Sequence, residues 1–218
     1  MSLDAHSGHY ERPRYDQKVH KAVIFDLGKV LVPFDFIRGY RELERHCPYP
    51  TAEIRSRIAA SRLVEPLEKG LIAPRDFVTR LSEFLDLRIG YEEFCRIWSC
   101  IFSGQLIPDA VLASLAARYR LLLLSNTNEI HFQVIRENYT LLRHFHDWVL
   151  SYEVHAMKPD PAIFRVAVEK AGCRPEECFY TDDIAAFVEA AKREGLDAVQ
   201  FESPAQIERE MNARGIRW

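Results

Sequence analysis

Three carboxylates, a hydroxyl and a lysine stand in this chain at or near the ends of short apolar runs. The run AVIF (residues 22–25) stops on Asp26, and RLLLL (120–124) passes into Ser125, Asn126, Thr127 and Asn128. The run CFYT (178–181) stops on Asp182 and Asp183, and before it Met157-Lys158-Pro159-Asp160 opens onto a helical pattern. A lone aspartate at such a position is commonly a turn or capping residue. Several at successive run ends ask for more, because carboxylates brought together repel and need a cation to offset them. Hard oxygen ligands with few carbonyl donors suit Mg²⁺, which keeps several waters and shares a phosphate with the protein. A carboxylate beside it could attack phosphorus and form an aspartyl phosphate. A lysine and a serine hydroxyl would hold the phosphoryl oxygens as charge develops. These residue types therefore suggest metal-assisted phosphoryl transfer.

That chemistry requires the run ends to converge. An open parallel sheet does this, since its ligands sit beyond the carboxyl ends of the strands. Residues 22–25, 120–124, 178–181 and 198–201 read as short strands covered on both faces, with 148–151 a weaker fifth. Asp160-Pro161 offers an N-cap and first-turn proline for the helix AIFRVAVEKA, and Gly172 its stop. A second helix is expected near 185–194, packing through Ala186, Val188, Ala190 and Ala191 and ending at Gly195. Strands alternating with such helices give βαβ units and a parallel sheet. Residues 36–105 break the alternation with helical spacing only; Leu81, Phe84 and Leu85 fall at i, i+3 and i+4 as one buried stripe. This segment reads as a helical insertion after the first strand. Residues 202–218 read as a terminal helix, and Phe132, Phe145 and Trp148 as core or interface aromatics.

Composition narrows the partners. The chain has 218 residues, 48% hydrophobic and 28% charged, and can bury a sizeable core. A net charge of −3 provides no broad basic field, so a nucleic-acid partner is not expected. No apolar run is long enough to span a bilayer, so no membrane partner is expected either. Five cysteines without a C-x-x-C pair suggest reduced thiols in a cytoplasmic protein. Residues 1–19, with His6 and His9, are expected to form a flexible tail. His144 and His146 lack a carboxylate cluster and read as surface or capping residues.

From about Val19 to Phe201 the chain resembles the haloacid dehalogenase superfamily of hydrolases. F-D-L-G-K-V-L resembles its first motif, L-L-L-L-S-N-T its second, M-K-P its third and Y-T-D-D its fourth. The wording L-S-N-T-N, K-P-D-P-A-I-F and D-D-I is similar to the small sugar-phosphate phosphatases and the N-terminal domain of soluble epoxide hydrolase. The resemblance implies a Rossmann-like α/β core, doubly wound around a parallel sheet, from residues 20–35 and 106–218, with 36–105 as a helical C1 cap. It implies Asp26 as nucleophile and Mg²⁺ ligand, and Ser125 as phosphate ligand aided by the backbone at Asn126. Lys158 would steady the charge of nucleophile and phosphoryl group. Asp182, Asp183 and the backbone carbonyl of Gly28 would complete the metal site. The implied partner is a small phosphorylated metabolite; monomer and homodimer both stay open.

Gly28 departs from the family's D-x-D, whose second aspartate is the general acid. Losing such a group forfeits roughly 10²–10⁴ in rate. Substrates whose leaving group needs little protonation, such as anomeric sugar phosphates or acyl phosphates, are then expected to work best. A cap residue or a water could replace the acid, with His46 a candidate whose alternative reading is a surface residue. The alternatives are a 2-haloacid dehalogenase, or a weak or non-enzymatic binding protein of the same fold. The retained Asp182-Asp183 pair favours phosphate over halide. Phe187 stands where relatives often carry asparagine and reads as a packing residue. Lys29 could attract an anionic substrate or simply face solvent. Trp98 reads as cap packing, or as part of the pocket wall should it face the site.

Overall fold

The computed structural model describes residues 20–217. The expected tail at 1–19, including His6 and His9, lies outside them. Five strands form one parallel sheet: β1 Ala22–Phe25, β2 Arg120–Ser125, β3 Asp147–Leu150, β4 Cys178–Asp182 and β5 Asp197–Gln200, in the order β3-β2-β1-β4-β5. β3 and β5 each begin one residue earlier than expected, and Ser151 already belongs to the next helix. The register pairs Phe25 with Leu123 on one side and with Thr181 on the other. Asp26, Leu124 and Asp182 therefore come level at one end of the sheet, with Ser125 one residue beyond.

Strand side chains alternate between two faces. Val23, Phe25, Leu121, Leu123 and Phe179 enter one core, and Ala22, Ile24, Leu122, Leu124 and Tyr180 the other. The first face is covered by α6 Asp109–Ala116, α7 Glu129–Asn138 and α11 Pro204–Ala213. The second is covered by α9 Pro161–Ala171 and α10 Ala185–Arg193. The sheet is thus doubly wound. Asp160 caps α9 by accepting from the Ala162 N–H at 2.9 Å, and Gly172 ends it at φ +66. Two expectations need correction here. Ala186 is exposed, because it lies two positions from the buried Val188 and so on the opposite side of α10. The terminal helix spans Pro204–Ala213 only, starting from the Ser203 cap.

Between β1 and β2 lie α1 Phe36–Leu43, α2 Thr51–Ser61, α3 Val64–Glu68, α4 Pro74–Phe84 and α5 Tyr91–Ser99. They enclose a third core that includes Leu43, Ile54, Phe77, Leu81, Leu85, Phe94 and Trp98, joined by Ile130 of α7. The expected stripe of Leu81, Phe84 and Leu85 holds at its first and last members. Phe84 is 43% exposed. It is the last residue of α4, at the edge of the face that buries Phe77, Val78 and Leu81. The remaining short helix, α8 Ser151–Val154, follows β3 and meets α3.

Candidate active site

Lys158 is the centre of the buried charge. Its Nζ donates to Asp26 Oδ1 at 2.7 Å, to Asp182 Oδ2 at 2.6 Å and to the Leu124 carbonyl at 3.1 Å. All three ammonium donors are thereby used. Asn126, just past the end of β2, fixes the lysine's backbone: its Oδ1 accepts from the Lys158 N–H at 2.8 Å and its Nδ2 donates to the Lys158 carbonyl at 2.9 Å. The side chain of Asn126 is therefore a clamp on the lysine, a role the sequence did not reveal. Asp182 also accepts from the Tyr180 hydroxyl and, through Oδ1, from the Ile184 N–H at 2.9 Å. Phe187 presents its ring 5.3 Å from Lys158 Nζ. It is a cation–π partner of the lysine, more specific than the packing role expected of it.

Two buried carboxylates against one ammonium leave negative charge uncompensated. Burial pushes the Asp26 carboxyl up, to about 7, with Lys158 pulling down and Asp182 and Asp183 pushing further up. Burial also raises Asp183, and Asp182 adds to it. For Lys158, burial acts downward, yet Asp26 and Asp182 outweigh it and the net shift is upward. Asp26, Asp182 and Asp183 each offer an oxygen within 4.8 Å of the others. The Gly28 carbonyl accepts no hydrogen bond among the described residues. A set of carboxylate oxygens plus a carbonyl, carrying surplus negative charge, fits a hard divalent cation such as Mg²⁺.

The Ser125 hydroxyl is buried beside these groups, its nearest partner the Asn126 carbonyl at 3.5 Å. Further along, Thr127 and Ser151 exchange hydrogen bonds, and Asn128 caps α7 by accepting from the His131 N–H. A narrow cavity of about 60 Å³ opens at this edge of the sheet, with Gly28, Ser125, Asn126 and Thr127 on its core side. Phe34 and Glu68, both from outside the expected site, are also in its wall.

Gly28 has a structural reason to be glycine. A Cβ there would lie 2.6 Å from Cε1 of the Phe34 ring and 3.2 Å from its Cδ1. The space that a second aspartate would use is filled by an aromatic ring. His131 lines the same cavity, but its Nε2 bonds to the Trp98 carbonyl at 3.0 Å, so that nitrogen carries the proton. Its Nδ1 then accepts from Asn128 Nδ2 at 3.1 Å. Burial pulls its pKa down to about 4, and it is a neutral, fully bonded ring. Trp98 stacks on that ring with centroids 5.7 Å apart.

Two sequence candidates sit differently. His46 lines a groove of about 1180 Å³ on the helical insertion, whose walls include none of Asp26, Gly28, Ser125, Lys158, Asp182 or Asp183. It is not the missing acid. Lys29 is exposed, with its Nζ 5.2 Å from the Phe34 ring centre, and its charge acts to lower the Asp183 pKa. His144 pairs with Asp109 at 3.6 Å and His146 accepts from the Leu121 N–H, so both have structural roles.

Comparison with known proteins gives a consistent picture. A family model described as haloacid dehalogenase-like hydrolase matches residues 20–195. Phosphatase MT3486 of Mycobacterium tuberculosis is 30% identical over 199 residues, covering 85% of this chain and 88% of its own length. The D-ribitol-5-phosphate phosphatase of Bacteroides thetaiotaomicron is 24% identical, covering 88% and 96%. The crystal structure of the enzyme bt-2542 from that organism, in complex with magnesium and inorganic phosphate, superposes with a TM-score of 0.76 at 27% identity, over 85% of this chain and 96% of that one.

Proposed function

The chain belongs to the haloacid dehalogenase-like hydrolases, and from that premise we propose that it is a Mg²⁺-dependent phosphatase of a small phosphorylated metabolite, working through an aspartyl phosphate on Asp26. The observation that carries this reading is Lys158 bridging Asp26 and Asp182 with Asp183 alongside. A hydrolase attacking carbon to release halide needs no cation, and three acidic groups within 4.8 Å would then be repulsion without purpose. Phosphatases among the relatives, one of them acting on ribitol 5-phosphate, support a phosphorylated sugar or polyol as the substrate class.

In this reading Lys158 holds one oxygen of Asp26, so the carboxylate is oriented before substrate arrives. Asp26 attacks phosphorus as the ester bond breaks. Lys158 steadies the charge of nucleophile and phosphoryl group through the carboxylates it holds, while the Ser125 hydroxyl and the backbone N–H groups near Asn126 hold phosphoryl oxygens as their charge redistributes. Tyr180 and the Ile184 N–H keep Asp182 in place from beneath. Asp26, Asp182, Asp183 and the Gly28 carbonyl would hold Mg²⁺, which when bound would offset carboxylate and phosphate charge and polarise the phosphoryl group. Water hydrolyses the aspartyl phosphate and restores Asp26.

The test is hydrolysis of 4-nitrophenyl phosphate by pure protein. Asp26→Asn removes the nucleophile at nearly constant shape and should lower the rate by roughly 10³ or more. EDTA should abolish turnover and excess Mg²⁺ restore it. Turnover that survives either change would sink the proposal.

A further inference from the structure

Building on the phosphatase reading, we propose that Glu68, at the end of α3 in the helical insertion, is the proton donor and acceptor of this site, in place of the side chain absent at Gly28. An alkyl phosphate cannot release its oxygen as an alkoxide at useful speed; that oxygen needs a proton in the transition state. Position 28 has no side chain, and Phe34 occupies the space one would use. Among the other groups nearby, His131 has both nitrogens engaged and His46 lines a separate groove.

Glu68 has the right place and the right freedom. It lines the narrow cavity with Gly28 and Ser125, and also a larger one of about 290 Å³ between the insertion and the start of α7, walled by Phe36, Tyr40, Arg55, Trp98 and His131. Glu68 therefore borders both the space beside Gly28 and Ser125 and the larger space open to a leaving group. No hydrogen bond or ion pair joins it to any described residue, whereas Glu65 on the same helix is paired with Lys69 at 2.7 Å. The segment that follows is fastened to the core. His155 Nδ1 donates to the Lys69 carbonyl at 2.8 Å, and Gly70, at φ +63, packs so that a Cβ would lie 2.1 Å from the Tyr152 carbonyl oxygen.

Its electrostatic surroundings suit a donor. Burial pushes the Glu68 carboxyl up to about 7, and the charge of Glu65 adds to the effect. The other charged or titratable groups around it are Arg55 and Tyr40 across the larger cavity, His131 toward α7 and Arg62 on the outer face. Lys69 and His155 stand beyond it toward the core. None of these forms an ion pair with Glu68, so a substantial share of the carboxyl is protonated near neutrality.

The steps balance. An Asp26 oxygen bonds to phosphorus as the bond to the leaving oxygen breaks, and Glu68 passes its proton to that oxygen, giving the alcohol. Glu68 carboxylate then takes a proton from water, whose oxygen bonds to phosphorus as the Asp26–phosphorus bond breaks. Inorganic phosphate departs, Asp26 is a carboxylate again and Glu68 is protonated.

The test is a leaving-group series of 4-nitrophenyl, phenyl and benzyl phosphate with Mg²⁺, on wild type, Glu68→Gln and Glu68→Asp. Since kcat/KM covers only the steps up to alcohol release, 4-nitrophenolate should leave unaided, and Glu68→Gln should lose less than about threefold on it. On benzyl phosphate the same variant should lose roughly 10²–10³, with Glu68→Asp recovering part of the loss. Should Glu68→Gln fail to fold, the aspartate variant alone should still show a steeper dependence on leaving-group basicity than wild type. Equal losses across the series, no loss at all, or a wild type as steep as its variants would overturn the proposal. A wild type with no Asp26-dependent turnover of any ester would instead remove the phosphatase reading beneath it, a failure visible without any Glu68 variant.

Discussion

Gly28 and Phe34 act as a pair. The ring of Phe34 packs against Phe36 with centroids 5.0 Å apart and carries Lys29 on its face, so it is held where it blocks the missing Cβ. Gly28→Asp therefore does not restore an ordinary second aspartate. It should destabilise the protein by about 1–3 kcal/mol through overpacking and leave benzyl phosphate hydrolysis no faster. Combined with Phe34→Ala, the cost should be less than the sum of the two single changes, by at least about 1 kcal/mol of coupling. Urea unfolding of the four proteins measures this, and strict additivity would mean that the ring does not define the glycine. At this scale the sequence was informative about how Asp26, Ser125, Asp182 and Asp183 come together, because strand ends converge in any parallel sheet of this kind. Lys158, in the loop before α9, joins them through its bonds to Asp26 and Asp182. It was silent about Glu68. VEPLEKG offers two glutamates three residues apart, and only the packing of α3 against α2 and α8 decides which one lines the cavity beside Gly28. Phe187 was legible as an oddity, but its contact with Lys158 depends on where α10 lies.

Among the elements, α3 carries the proposed proton donor. A helix of five residues has little stability of its own. Its placement comes from buried Leu67, from the His155 bond to Lys69 and from the contact of Gly70 with Tyr152. Gly70→Ala would put a side chain at positive φ against a backbone oxygen that cannot swing aside. The expected cost is about 1–3 kcal/mol, with the turn after α3, which straps it to the core, lifted away. If the strap positions Glu68, benzyl phosphate turnover in this variant should fall by about tenfold or more while 4-nitrophenyl phosphate turnover is largely kept. An equal fall on both esters would assign the strap to general stability only. Elements were largely readable from the sequence, since β1 to β5 are short apolar runs with clear stops and α9 has both of its caps. What failed were Phe84, Ala186 and the length of the terminal helix. Ala186 lies on the side of α10 away from Val188, Phe84 ends α4 at the edge of its buried face, and the last helix stops at Ala213.

The whole molecule joins a sheet with two cores to a helical insertion with a third, and Glu68 is a titrating group where they meet. Most perturbed carboxylates here are held below their usual range by partners, as Glu177 is, down to about 2, by Lys21 and Arg174. Such groups contribute stability above their unfolded pKa, and that contribution is lost only as pH falls toward the folded value. Glu68 has the opposite sign. Its folded pKa of about 7 lies above the ordinary 4.5, so the folded state binds the proton more tightly than the unfolded chain does. Its contribution is complete below about pH 4.5 and drains away as pH rises through 7, a loss on the order of 1–3 kcal/mol. Asp26 and Asp183 shift the same way, but a comparison of wild type with Glu68→Gln cancels them. Glutamine keeps the shape and cannot ionise. In Mg²⁺-free buffer, urea unfolding should find the two proteins of similar stability at pH 4.5 and the variant more stable at pH 8, with the gap opening between those values. Parallel curves across that window would mean that Glu68 ionises in the fold as it does in water, and that the insertion does not shield it.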